Sequence, residues 1–320
     1  MNAIRGARAF LGMSHTPLLG LATLDEPVER ELLGAIANVR EHVLQWAPDR
    51  IVLIGPDHYN GFFNELMPAF CIGSEAASVG DYLMPAGPLN VDAAIALAIA
   101  DFLMDEGFDP AVSRRMRVDH GFVQPLQFVW GGLDTPPVIP LFINAVAPPT
   151  IPRVRRCRRL GLALGRFIDR LPGRTLLLAS GGLSHEPPVP TLAHPDPQVR
   201  ERITIRAEQS DEMRRAKTAR VLAAGLALAA GDAGMKPLNA AWDRRWMDAI
   251  EHGRLAELEA LSEHSISEEA GLSAHESKTW LVGRAALGEG IRGARFRHYQ
   301  AIDELIAGYG LMFIDGADPQ

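Results

Sequence analysis

The chain has 320 residues, 47% of them apolar, which is enough to bury a large core in one domain or two. Its net charge of −7 is mild, and its most basic stretch, 153–159, reads as the wet face of a helix, so neither a nucleic acid nor an anionic membrane is expected as a partner. Two cysteines, Cys71 and Cys157, make neither a disulfide framework nor a thiolate metal cluster and point to a reducing, cytoplasmic setting. The start Met1-Asn2-Ala3-Ile4-Arg5 leads into a short apolar run without a signal-peptide pattern. The longest apolar stretch, 221–230, is too short to span a bilayer.

Residues 9–13 read as a first strand that ends just before His15. Leu32, Leu33, Ile36 and Val39 share one face of a helix expected over 26–46. Ile51-Val52-Leu53-Ile54 is a buried strand stopped by Gly55-Pro56. A helix over 91–106 is expected to be capped by Asn90. The run 112–118 is a weaker strand candidate, followed by a short helix over 123–130. A buried strand over 138–144, a helix over 154–171 and a strand over 175–179 come next, the last running into Gly181-Gly182. From 198 to 287 the composition is mostly helical. Strands alternate with helices through the first 180 residues, which predicts an α/β fold: a central sheet flanked by helices, with a helical C-terminal half packed on it. With no low-complexity linker, residues 1–320 are expected to form a single domain, and ligands should gather beyond the strand ends.

Four histidines sit in polar segments at the ends of apolar runs. The segments are Ser14-His15-Thr16-Pro17, Pro56-Asp57-His58-Tyr59-Asn60-Gly61-Phe62-Phe63, Val118-Asp119-His120-Gly121-Phe122, and Gly181-Gly182-Leu183-Ser184-His185-Glu186-Pro187-Pro188. Imidazole is the commonest protein metal ligand and changes charge near neutral pH, so four of them on loops point to metal or acid–base chemistry. Each has a plainer alternative. These are a backbone-satisfied imidazole at His15, a turn capped by Asp57 and Asn60 around His58, a capped helix start at Asp119-His120, and a Gly/Pro connector around His185. The remaining six, His42, His194, His252, His264, His275 and His298, read as solvated surface, with His275 left open because it adjoins Glu276. Two histidines with one carboxylate make a ligand set for non-haem Fe(II), and zinc accepts the same set. Spacing does not choose the carboxylate among Glu65, Glu186, Glu269 and Glu276. By itself Glu276 reads as an ordinary glutamate complementing a helix N-terminus.

Taken together and in order, these segments resemble the class III extradiol catechol dioxygenases. The resemblance runs from Ser14 to about Gly308 and includes Pro237-Leu238-Asn239 and His275-Glu276-Ser277-Lys278-Thr279-Trp280. It implies Fe(II) as cofactor with His15, His58 and Glu276 as ligands, Glu276 because it matches the family's glutamate four residues before a tryptophan. It also implies His120 and His185 as acid–base residues, His185 the expected base and His120 the expected acid, with Asp119 supporting His120. The implied partners are a catecholic small molecule and O2, and the implied assembly is a homo-oligomer. The implied substrate is 3-(2,3-dihydroxyphenyl)propanoate, with 2,3-dihydroxycinnamate beside it, opened next to the diol to a 2-hydroxy-6-oxo-diendioate. The rival readings are an extradiol dioxygenase for another substituted catechol and a zinc-dependent hydrolase on the same scaffold. The motifs leave the group that binds the substrate carboxylate unnamed; an arginine would suit it.

Overall fold

Two long apolar strands open the chain on either side of a helix: β1 (Ala7–Met13), α1 (Glu26–Trp46) and β2 (Arg50–Gly55). Short strands β3 (Phe70–Gly73), β4 (Ala76–Val79) and β5 (Ala86–Pro88) precede α2 (Ala93–Asp105), and β6 (Ala111–Ser113) and β7 (Met116–Val118) follow it. Next come α3 (His120–Trp130), β8 (Val138–Ile143), α4 (Val154–Ile168) and β9 (Arg174–Ser180). The helical part holds α5 (Pro197–Thr204), α6 (Asp211–Ala229), α7 (Ala240–Glu251), α8 (Glu263–Ala270) and α9 (Lys278–Leu287), and β10 (Phe296–Ile302) and β11 (Ala307–Asp315) close it. This computed structural model describes residues 6–207, 210–232, 234–291 and 293–316. The segment 1–5, expected to carry no signal pattern, lies outside the described residues.

An eight-stranded sheet with the order β10-β11-β1-β9-β2-β8-β3-β6 forms the centre, and a three-stranded sheet β5-β4-β7 stands apart from it. β1, β9, β2 and β8 are mutually parallel neighbours. Their side chains alternate between two cores, because successive residues of a strand face opposite sides. Val52 and Ile54 pack with Leu177 and Ala179 against α2, α4, α7 and α9. Ile51 and Leu53 pack with Leu176 and Leu178 against α1 and α3. Burial on both faces is why these strands are continuous apolar runs. No helix among the described residues is long and apolar enough to cross a membrane.

The mixed α/β sheet flanked by helices matches the expected class. Several details differ from the sequence reading. The buried stripe of α1 is Leu32, Ala35, Ile36, Val39 and Val43, while Leu33 is exposed. Asp92, not Asn90, caps α2 by accepting the Ile95 N–H at 3.0 Å; Asn90 instead donates to the Thr135 carbonyl. The run 112–118 divides between two sheets, with β6 beside β3 and β7 beside β4. α3 begins at His120 because Asp119 accepts the Gly121 N–H at 2.9 Å. The chain does not end in helices: β11 pairs antiparallel with β1 and carries β10 at the sheet edge.

A histidine and glutamate centre at the strand ends

β9 lies between β1 and β2, and all three run the same way, so their C-terminal ends open at one edge. The chain leaving β1 carries His15, the chain leaving β2 carries His58, and the chain leaving β9 carries Gly181-Gly182 and His185. α3 adds His120 as its first residue. Ligand sites collect at such edges because the loops there are free to converge.

The donors meet around Glu276, whose side chain is 0% exposed. Its Oε1 lies 3.0 Å from His58 Nε2 and 3.3 Å from His185 Nε2, and its Oε2 lies 3.5 Å from His15 Nε2. The Gly182 N–H donates to Oε2 at 3.2 Å. A Cβ on Gly181, whose φ is +132°, would sit 2.8 Å from the Glu276 Cβ, so only glycine lets the loop and the glutamate approach this closely. The His120 ring stacks on His58, centroids 4.5 Å apart, and meets His15 edge-on at 5.4 Å. Ring nitrogens of His15, His58 and His120 also lie within 4.8 Å of one another, a second grouping able to hold a metal.

Glu276 is thus the candidate carboxylate that reaches the histidines. Glu186 accepts the Leu272 N–H, Glu269 pairs with Arg245, and Glu65 is exposed. Glu276 sits in a short 3-10 turn, Ala274–Ser277, ahead of α9. The residues after it tie that turn to the end of β9. Thr279 donates to the Ser180 carbonyl at 2.9 Å, and Trp280 Nε1 donates to the Gly181 carbonyl at 2.9 Å. Lys278 turns away, buried, to donate to the Pro152 carbonyl. His275 is buried but points elsewhere, with Nε2 3.0 Å from Ser267 Oγ, and so is neither solvated surface nor part of the centre.

A further layer orients the rings. Asp119 accepts from His58 at both the backbone N–H, 2.9 Å, and Nδ1, 3.0 Å. The expected pairing of Asp119 with His120 is therefore corrected: Asp119 backs His58. Asp81 backs His120, with Oδ2 2.6 Å from Nδ1 and Oδ1 2.8 Å from the backbone nitrogen. As the N-cap of α3, Asp119 spends its carboxylate on the Gly121 N–H and on His58, and the His120 Nδ1 is met by a carboxylate from another loop. Asn60 Nδ2 donates to Asp119 at 2.8 Å, and Asp57 gathers the N–H groups of Asn60, Gly61 and Phe62. So Asp57 does serve its own turn, and that turn presents His58. His15 Nδ1 meets Ser180 Oγ at 3.0 Å, and His185 Nδ1 meets the Leu183 carbonyl at 2.9 Å. Asp243 of α7 holds the His185 loop through the Ser184 N–H and hydroxyl, both at 2.7 Å. Asn239 caps α7 and donates its own N–H to Ser184 Oγ, which accounts for Pro237-Leu238-Asn239.

The electrostatics suit a cation. Burial pushes the His15 pKa down to about 3, so this ring is neutral and able to coordinate. Burial also opposes a charge on His58, but Asp119 and Glu276 outweigh it and hold its pKa well above the usual imidazole range. Burial would raise Glu276; His185 and His15 outweigh it and keep the carboxyl well below its ordinary range. A buried carboxylate surrounded by imidazoles, with no Lys or Arg against it among the described residues, offers the negative charge a divalent ion needs, and an ion bound there would take the place of the proton that Asp119 and Glu276 favour on His58. The donor set therefore fits a metal.

The centre opens into a cleft. Pro187 to Pro190, Val221, Leu305 and Ile306 form its apolar walls, and Tyr82 stands beside His120 with ring centroids 4.9 Å apart. Tyr82 (φ 45°) and Leu83 (φ 65°) hold left-handed backbone, a strained turn that delivers Asp81 and Tyr82 to the site.

Buried histidine and carboxylate donors beside an apolar cleft make a site able to hold a metal. Residues 9–312 match the family described as the catalytic LigB subunit of aromatic ring-opening dioxygenase. The chain is 63% identical over 309 residues to a 2,3-dihydroxyphenylpropionate/2,3-dihydroxicinnamic acid 1,2-dioxygenase of Comamonas testosteroni, covering 96% of each chain. An enzyme of the same description from Klebsiella pneumoniae (strain 342) is 46% identical over 301 residues, 93% of this chain and 95% of that one. A crystal structure of an uncharacterized Escherichia coli K12 protein is similar with a TM-score of 0.48 and 13% identity, over 96% of this chain and 99% of that one. The chain belongs to the LigB family of metal-dependent ring-opening dioxygenases and is an oxidoreductase. The resemblance drawn from the histidine segments led to the same family.

Proposed function

We propose that the protein is an Fe(II)-dependent extradiol dioxygenase. It opens the ring of 3-(2,3-dihydroxyphenyl)propanoate, and of 2,3-dihydroxycinnamate, with O2 to give a 2-hydroxy-6-oxo-diendioate. The carrying observation is the convergence of His15, His58 and His185 on Glu276, with His120 stacked on His58, at the strand-end cleft. The activity of the relatives, as their names give it, supplies the substrate. His15, His58 and Glu276 would hold the ion, the two-nitrogen, one-carboxylate set that suits non-haem Fe(II) and leaves it open positions. Bound there, Fe(II) supplies a shared anchor for the two catechol oxygens and O2 and a path for electrons out of the ring.

The chain's own residues handle position and protons. Ser180 behind His15 and Asp119 behind His58 occupy each Nδ1, which leaves each Nε2 for the ion. At His185 the Nδ1 must donate, because the Leu183 carbonyl only accepts, and Glu276, 3.3 Å from Nε2, favours a proton there; with Glu276 engaged by the ion, the neutral ring would keep a lone pair on Nε2. That tautomer suits a base taking a catechol proton. At His120 the Asp81 carboxylate accepts the Nδ1–H and offers a countercharge to a ring holding a second proton on Nε2. That arrangement suits the acid that protonates the leaving oxygen as the ring opens. The apolar walls keep water from competing for the ring. Two buried free thiols, Cys71 and Cys157, agree with a cytoplasmic setting.

The test is metal exchange. Protein stripped by a chelator and reloaded anaerobically with Fe(II) is expected to convert the propanoate when air is admitted, and the Zn(II)-loaded protein is expected to be inert. Turnover by the Zn(II) form without oxygen uptake would replace this reading with a hydrolase.

A further inference from the structure

The cleft is apolar except at two places, the histidine floor and the flank formed by α6. That helix contributes Lys217 and Arg220, three residues apart and so on one face, and both line the same cleft as His15, His58, His120 and His185. Lys217 Nζ lies 5.7 Å from the centre of the Tyr82 ring, and the other side of that contact chain is the edge-on meeting of Tyr82 with His120. The ammonium therefore stands one aromatic ring away from an acid–base histidine. Neither cation is joined to a carboxylate among the described residues, whereas Arg158 and Arg297 are each held by two. Arg117 and Arg214 line a neighbouring cleft, which Lys217 and Asp81 also border, so Lys217 stands between the two. Two cations without a carboxylate partner among the described residues, beside an apolar slot, call for an anionic group on whatever enters.

We propose that Lys217 and Arg220 receive the side-chain carboxylate of the substrate and so select catechols with an acidic arm at the 3-position. This assignment rests on the dioxygenase reading above. With the diol at the His15, His58 and Glu276 end, a short arm on the ring points along Tyr82 toward α6. Arg220, exposed at the mouth, can grip a carboxylate through two parallel N–H donors, and half-buried Lys217 adds a point charge deeper in. The neutral isostere of the same arm would leave both cations unpaired, which is how a polar site rejects an analogue.

The experiment compares 3-(2,3-dihydroxyphenyl)propanoate with 3-propylcatechol on the Fe(II)-loaded enzyme. In Lys217→Gln/Arg220→Gln the ratio of their kcat/KM values should fall roughly 100-fold, with the loss carried by KM for the propanoate. Lys217→Glu should shift preference toward 3-(2-aminoethyl)catechol, a change that a merely structural role would not produce. Equal losses on both substrates, in variants of an enzyme that prefers the propanoate, would overturn the assignment and leave the substrate reading standing. An unaltered enzyme with no preference for the propanoate over 3-propylcatechol would overturn the substrate reading, and the assignment with it.

Discussion

Asp81 and Asp119 each stand behind a histidine, and in the proposed mechanism the difference between them separates metal binding from proton transfer. Asp119 fixes His58, a proposed ligand; Asp81 fixes His120, a proposed acid. Asp119→Asn should weaken Fe(II) binding by about 10–100-fold. Asp81→Asn should leave Fe(II) binding intact and lower kcat by roughly 10²-fold. Metal titration and steady-state kinetics on both variants check this, and the reverse pattern would exchange the two roles. The histidines were legible in the sequence because each lies in a short polar loop closing an apolar strand or opening a helix. Their partners were not. Asp119 adjoins His120 in sequence, but its hydrogen bonds go to the Gly121 N–H and to His58, a partner 61 residues away that spacing does not show. Asp81 lies in a turn between two three- and four-residue strands, too short to show any period.

At the scale of elements, the 3-10 turn and α9 act as one bracket for Glu276. Trp280 is fully buried, lies against Gly12 of β1, and ties the Gly181 carbonyl, so α9, β1 and the β9 loop are fixed to one another. Trp280→Ala should cost about 3–5 kcal/mol of stability and also weaken Fe(II) binding, because Glu276 loses its support. Trp280→Phe keeps most of the packing and should cost about 1 kcal/mol for the lost hydrogen bond. Chemical denaturation together with metal titration tests this; a destabilised Trp280→Ala with undiminished Fe(II) affinity would show that the bracket does not position the carboxylate. This coupling could not be read from spacing. Alone, Glu276 fits a helix-end residue, and only the resemblance singled it out. The small strands β3, β4 and β5 were likewise missed, being too short to carry a pattern, and β6 and β7 were read as one weak strand, whereas α1 was legible to the residue at both ends because its apolar stripe persists through 21 residues.

At the scale of the molecule, the sheet draws on both ends of the chain. β1 sits between β9 and β11, so the first and last strands are neighbours within the sheet. We propose on this ground that the described chain works as one domain, and we expect a single cooperative unfolding transition in the metal-loaded protein; two well-separated transitions would divide it. The α/β class was legible because β1, β2, β8 and β9 are buried on both faces and so appear as unbroken apolar runs. The closing pair β10 and β11 was not, since β10 is half-exposed and Gly308 and Gly310 interrupt β11. Lys217 and Arg220 were hidden for a related reason: α6 is so evenly mixed that nothing marks which face meets the cleft. The most direct test of the account is to load the protein anaerobically with Fe(II), add 3-(2,3-dihydroxyphenyl)propanoate, admit oxygen, and follow oxygen uptake beside the yellow ring-opened product. The account predicts one O2 consumed for each product formed; iron bound at the site with neither uptake nor product would contradict it.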